Sequence, residues 1–246
     1  MNKVLITGAS SGVGRSLANY FYNKGFELIL ISRRGKFVEE DFADSNRISY
    51  YEIDLSDGKS AEELILNISK YHGYIPLIIN NAGVMVKEDI VDLKWDSFQA
   101  DINVNARIPL FIMQTFLKEM KINNFGRIVN ITSGAPINCF PHYSRYSASK
   151  GLLNIFSITL SKEVGDYDIK INLMSPGPVK SEMAPNAKLS PDICHPTVEY
   201  LLTLPKDGPS GKFFWLGYEI PITPDLEGID WLNGTAVEKF KKVING

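Results

Sequence analysis

The chain has 246 residues, 44% hydrophobic and 22% charged, with 26 Lys and Arg against 28 Asp and Glu and a formal charge of -2. These proportions exclude collagen-like, disordered and disulfide-stapled chains, and the lack of a cationic surplus argues against a nucleic-acid partner. Cys139 and Cys194 have no CxxC spacing and read as free thiols, the first eight residues are too short an apolar run for a secretory signal, and no stretch approaches the ~20 apolar residues that span a bilayer; the expectation is a cytoplasmic protein without a membrane partner.

In chain order, strands are predicted at residues 4–7, 27–32, 48–53, 77–80, 127–132 and 170–174. Their runs are nearly continuously apolar, as strands covered on both faces must be. Between them the pattern becomes helical. Residues 12–24 form one helix-length stretch closed by Gly25, and Ala61, Leu64, Ile65, Ile68 and Tyr71 share one face of another. This alternation predicts a doubly wound parallel sheet in a three-layer α/β/α arrangement with right-handed crossovers, one domain over residues 1–246. After Pro176 the rhythm breaks. Prolines crowd residues 176–205, with one helix expected from Ser190-Pro191 to about Thr203 and a last strand at 212–216. An irregular stretch at about 180–210, past the carboxyl ends of the strands, reads as a lid over a ligand.

Thr7-Gly8-Ala9-Ser10-Ser11-Gly12-Val13-Gly14 follows the first strand and opens the first helix. There Gly8 allows a tight turn, Gly12 close backbone approach and Gly14 helix-on-strand packing, with helix amides turned toward a pyrophosphate. The spacing resembles the short-chain dehydrogenase/reductase family. So do Asp54-Leu55-Ser56 after the third strand, Asn80-Asn81-Ala82-Gly83 after the fourth, and Pro176-Gly177-Pro178-Val179 after the sixth, with Ser181 where a hydroxyl is usual. The resemblance spans about residues 3–183. It implies a Rossmann-type fold and a nicotinamide dinucleotide held by Gly8, Ser10, Ser11, Gly12, Val13, Gly14, Asp54, Leu55, Asn81, Ala82, Gly83, Pro176, Gly177, Val179 and Ser181.

The residues after the second strand choose the dinucleotide. An NAD site usually has Asp or Glu about 20 residues past the glycines, on the ribose 2′-hydroxyl. Here Ser32 is followed by Arg33 and Arg34, and a guanidinium can grip a 2′-phosphate through paired charge-assisted hydrogen bonds. The expectation is NADP(H), with NAD(H) the alternative and Ser10 and Ser11 as further phosphate contacts.

Tyr146-Ser147-Ala148-Ser149-Lys150 puts a phenol and an ammonium on one helix face. Ser133 ends the fifth strand, and Asn105 lies in the preceding helix. This set resembles the family's Asn-Ser-Tyr-Lys tetrad; Tyr143 is no equivalent, because residue 147 is Ser. A cation ~4 Å from the phenol is worth roughly 4 kcal/mol at an effective dielectric near 20, about three pK units, so Lys150, helped by the positive nicotinamide of an oxidised cofactor, is expected to draw Tyr146 from about 10 toward 7. The resemblance implies reduction of a ketone or aldehyde. Tyr146 would be the general acid/base, Ser133 would hold the substrate oxygen, Lys150 the nicotinamide ribose, and Asn105 a water that relays protons to Lys150. Two alternatives are a non-catalytic NADP(H) sensor, to which a phenol beside an ammonium is useless, and a sugar-nucleotide epimerase or dehydratase, whose glycine spacing differs.

The family's Gly-Gly ending is replaced by Phe213-Phe214-Trp215-Leu216-Gly217-Tyr218-Glu219, and residues 219–246 have no counterpart; the three aromatics read as core. The apolar segment 108–113 is either buried inside the fold or paired across a subunit interface; the family pairs this helix and the Tyr146 helix between subunits, which suggests a homodimer or homotetramer. The substrate is a small carbonyl compound or alcohol, bounded by residues 134–143 and 182–205. His142 reads as an exposed loop residue, and His195 has no companion ligands, so no metal is expected.

Overall fold

The leucine, isoleucine and valine runs assemble side by side in the computed structural model, which describes residues 3–42, 45–224, 226 and 229. The strands are β1 (Lys3–Thr7), β2 (Glu27–Ser32), β3 (Ile48–Glu52), β4 (Leu77–Asn80), β5 (Gly126–Ile131), β6 (Ile169–Ser175), β7 (Phe213–Trp215) and β8 (Tyr218–Ile220). They form one sheet in the order β3-β2-β1-β4-β5-β6-β7-β8, parallel except for the final β7–β8 pair. The winding reverses between β1 and β4, where an open α/β sheet leaves a crevice beyond the strand ends.

Two cores explain the doubly apolar strands. On one face α1 (Gly12–Asn23) and α8 (His195–Leu202) pack Leu17, Phe21, Val198 and Leu201 onto Val4, Leu30 and Val129. On the other, α3 (Gly58–His72), α5 (Ile108–Ile122) and α7 (Ser144–Glu163) pack Ile65, Phe116 and Leu153 onto Leu5, Ile29 and Ile171. The short helices α2 (Phe37–Asp41), α4 (Trp95–Ile102) and α6 (Ala135–Asn138) complete the layers.

Several sequence expectations change in detail. Ala61, Ile65 and Ile68 are buried as the α3 pattern requires, but Tyr71 is 80% exposed at the helix end. The single helix expected at 190–203 is a 3₁₀ turn, Pro191–Cys194, followed by α8, because Pro196 has no amide to continue hydrogen bonding inside a longer helix. Asn105 lies in a π-helical turn, Asn103–Arg107, between α4 and α5. β8 adds an antiparallel edge that the pattern did not suggest, turned through Leu216 and Gly217, both at positive φ. The unassigned tail lies outside the described residues except for a few at its start. Among the described residues no helix is long and apolar enough to cross a membrane.

Candidate active site

The glycine-rich turn is locked from behind. Asn81, just past β4, donates its side-chain amide to the Thr7 and Gly8 carbonyls at 3.0 and 3.2 Å, while the Thr7 hydroxyl accepts from the Asn81 and Ala82 amides at 3.0 Å each. Gly8 takes φ +68, and a methyl there would lie 2.8 Å from Ala82 Cα. A methyl on Gly14 would overlap both the Gly8 carbonyl and the Asn81 amide, so helix α1 approaches β1 and β4 only through glycine. The Ser11 side chain does not cap α1, which leaves its first-turn amides without an intrahelical acceptor. Gly12 faces Ser181, whose Cβ would lie 3.1 Å from a methyl on Gly12. The loop after β6 therefore comes down onto this turn.

At the rim, Asp54 is exposed and accepts from the Ser56 amide at 2.9 Å, while Leu55 is buried. Arg33 and Arg34 are both exposed past β2. Arg34 donates to Glu182 at 2.7 Å, and Arg33 makes no hydrogen bond or ion pair among the described residues.

The tetrad candidates converge at the carboxyl edge of β5. Tyr146 and Lys150, one turn apart on α7, are buried, and Ser133 lies close enough to the Tyr146 hydroxyl to pull its pKa down. The Lys150 ammonium donates to the Ile131 carbonyl at 2.9 Å. Asn105 is fully buried; its oxygen accepts from the Val84 amide, and its nitrogen donates to the Val84 carbonyl and the Ser149 hydroxyl, each at 2.9 Å. A methyl on Gly83 would lie 3.3 Å from Asn105 Oδ1 and 3.4 Å from Lys150 Nζ, so these three positions meet.

The electrostatics differ from the sequence expectation. Burial pushes the Tyr146 phenol up, against a smaller opposite pull from Ser133, and burial pulls Lys150 down to about 8. The simple Coulomb argument omitted the cost of removing each charged form from water, which is the largest cause of both shifts. At neutral pH the phenol is protonated and the amine still carries most of its charge.

Other residues position this set and were not foreseen. Ser149 accepts from Asn105 and donates to the Tyr146 carbonyl at 3.0 Å, tying the π turn to α7. Buried Arg145 pairs with Asp101 at 2.5 Å and Glu88 at 2.8 Å and fixes the start of α7 against α4. Inside the sheet, Thr132 donates to Asn154 at 2.6 Å and Asn130 donates to Ser157 at 2.8 Å, joining β5 to α7. Phe213 and Phe214 are core, but Trp215 is half-buried, and its ring fills the space beside Gly134 and Gly177, 2.7 and 2.8 Å from methyls built there. The signal was the pairing of an aromatic with glycines in both adjoining loops. Pro176 and Gly177 (φ +69) turn the chain after β6, and Val179 is buried, bridging to Leu189. His142 lies at the surface beside Asp89, at 2.6 Å; His195 bonds Ser16 at 2.7 Å and stacks on Tyr20.

Known proteins agree with this architecture. The family model for short chain dehydrogenases matches residues 2–191. A dehydrogenase/reductase SDR family protein 7-like of Anopheles gambiae is 33% identical over 193 residues, covering 75% of this chain and 61% of that protein. An uncharacterized oxidoreductase of Staphylococcus aureus (strain USA300) is 26% identical over 210 residues, covering 82% and 91%. Among solved structures, ElxO with NADP bound superposes with a TM-score of 0.78 at 26% identity, covering 87% of this chain and 96% of ElxO. 4-Hydroxyisoleucine dehydrogenase complexed with NADH shares the fold, with a TM-score of 0.81 at 24% identity over 87% and 96%. A doubly wound sheet with a glycine-locked crevice at its reversal defines the class. This chain belongs to the short-chain dehydrogenase family, and it spans about 60% of the length of the insect relatives it matches.

Proposed function

We propose that the chain is an oxidoreductase that reduces a ketone or aldehyde with NADPH. The observation that carries this is the buried Tyr146 phenol, beside Ser133 and one helical turn from the buried Lys150 amine. The residues fit a dinucleotide: uncapped amides open α1, and side-chain-free glycines line the turn below them. ElxO and 4-hydroxyisoleucine dehydrogenase, whose structures contain NADP and NADH, support that class of cofactor. When bound, it supplies the reducing equivalent to the carbonyl carbon.

The chain's own groups do the rest. Tyr146, held protonated by burial, donates its proton to the carbonyl oxygen as negative charge develops there. Ser133 gives that oxygen a second hydrogen-bond partner. Lys150, still cationic below about pH 8, stabilises the phenolate left behind and is the candidate ribose ligand. Asn105 connects the Lys150 side of the site to the 83–84 backbone and is the candidate relay to solvent. Gly12, Val13 and Gly14 offer amides to the pyrophosphate, and Ser10, Ser11 and Arg33 would meet a 2′-phosphate. Asp54 and Leu55 would border the adenine, Asn81, Ala82 and Gly83 the adjoining ribose side, and Pro176, Gly177, Val179 and Ser181 the nicotinamide. Residues 180–210 form the lid in this reading.

α7 leaves Leu152, Ile155 and Phe156 39%, 57% and 39% exposed, an apolar strip that supports a homodimer or homotetramer. Light scattering reads that directly. The activity test is a panel of ketones, aldehydes, sugars and secondary alcohols, followed at the reduced-nicotinamide absorbance with both cofactors. Carbonyl-dependent oxidation of NADPH is expected, and none across the panel would contradict it. Arg33→Ala should weaken NADPH about tenfold or more and NADH little; equal losses would refute the phosphate assignment.

A further inference from the structure

The loop after β6 and the end of β2 meet across the glycine-rich turn. On the β2 side, the Ser32 hydroxyl donates to the Arg34 carbonyl at 3.0 Å and holds the bend. On the other side, Val179 bridges to Leu189, and Ser181 and Ala184 exchange backbone hydrogen bonds at 3.1 and 3.3 Å around Glu182 and Met183. Ser181 rests on Gly12. With both backbones held, Glu182 reaches Arg34 at 2.7 Å, although 148 residues separate them.

This contact places a carboxylate at the edge that reads the ribose 2′ substituent, on a segment far from the second strand where such an acid is usually found. It also occupies one of the two guanidinium groups at that edge. The nearby cations Arg15 and Lys36 are engaged too, with Asp41 and Glu40 at 2.5 and 3.2 Å and with Glu40 at 3.9 Å. Arg33, and Lys180 beside Glu182, are left without a carboxylate partner among the described residues.

We propose that Glu182 is a cofactor-selectivity residue: by holding Arg34 it withholds the second guanidinium from a 2′-phosphate and holds NADP(H) preference below what the two arginines together would give. The inference rests on the reading above that a nicotinamide dinucleotide occupies this cleft. A bound 2′-phosphate must compete with the Glu182 carboxylate for Arg34 and meets its negative charge at the same edge. A 2′-hydroxyl does neither. Removing the carboxylate therefore releases a fork-shaped donor that matches phosphate geometry.

The test is equilibrium titration of NADPH and of NADH, read by nucleotide fluorescence without substrate, on wild type, Glu182→Gln, Arg34→Ala and the double variant. Glu182→Gln should tighten NADPH about 3- to 10-fold and change NADH less than about twofold. In the Arg34→Ala background most of that gain should vanish. If wild type binds both nucleotides but Glu182→Gln leaves their affinity ratio unchanged, or weakens both alike as loss of a loop tether would, this inference falls alone. A gain kept in full without Arg34 also overturns it. A wild type that binds neither nucleotide overturns the cofactor reading and this inference with it.

Discussion

The two halves of the cleft are built differently. Around Tyr146 most polar groups are buried and satisfied within the chain, Ser147 Oγ and Asn80 Oδ1 excepted: Asn105 by Val84 and Ser149, Thr132 by Asn154, and Arg145 by Asp101 and Glu88. Around Glu182 the corresponding contact is one ion pair whose partners are 55% and 61% exposed. Buried networks hold a single geometry because each missing partner is costly, whereas an exposed pair is worth little and exchanges partners easily. In the proposed function, chemistry that needs a fixed proton falls in the first half. The proposed discrimination between nearly identical nucleotides falls in the second, where small changes suffice.

That contrast is sharpest at Gly14. Gly14→Val drives a branched side chain into the Gly8 carbonyl and the Asn81 amide and should abolish folded, nucleotide-binding protein, checked by thermal melting. Lys150→Met comes next. An unfolded Lys holds its proton to about pH 10.5, whereas folded Lys150 releases it from about pH 8. Between these values the unfolded chain binds more protons at this position, so the Lys150 contribution to stability should rise with pH, by ~2 kcal/mol from pH 8 to 10. It rises over a background set in both proteins by groups such as Cys194, which burial pushes up. Urea melts of Lys150→Met should lack that rise, and parallel curves for the two proteins would break the buried-amine account. Thr7→Val strips an acceptor from the Asn81 and Ala82 amides and should cost about 2 kcal/mol. In the other half, Met183→Ser should shift stability by less than about 0.5 kcal/mol. A large loss there would mean that the two halves are equally rigid.

The sequence showed the locked half more clearly than the exposed one, for physical reasons. Gly8, Gly14 and Asn81 are legible because a strand-to-helix turn at a sheet reversal tolerates few other residues, and Tyr146 and Lys150 because helical spacing is fixed. Trp215 read as core, since a strand pattern cannot show that Gly134 and Gly177 vacate the space its ring fills. The Arg145–Asp101 and Arg34–Glu182 pairs join residues 44 and 148 positions apart, and periodicity carries no information at that range. The upward direction of the Tyr146 shift in the chain alone was not legible, because burial, its largest cause, is a property of the folded chain.

The most direct measurement compares wild type and Tyr146→Phe on one preparation each, reading NADPH affinity by titration and carbonyl reduction by single turnover. With the phenol as proton donor, affinity should stay within about twofold while the reduction rate falls by about 10² to 10⁴. A Tyr146→Phe protein that reduces the same carbonyl at the wild-type rate would contradict the account.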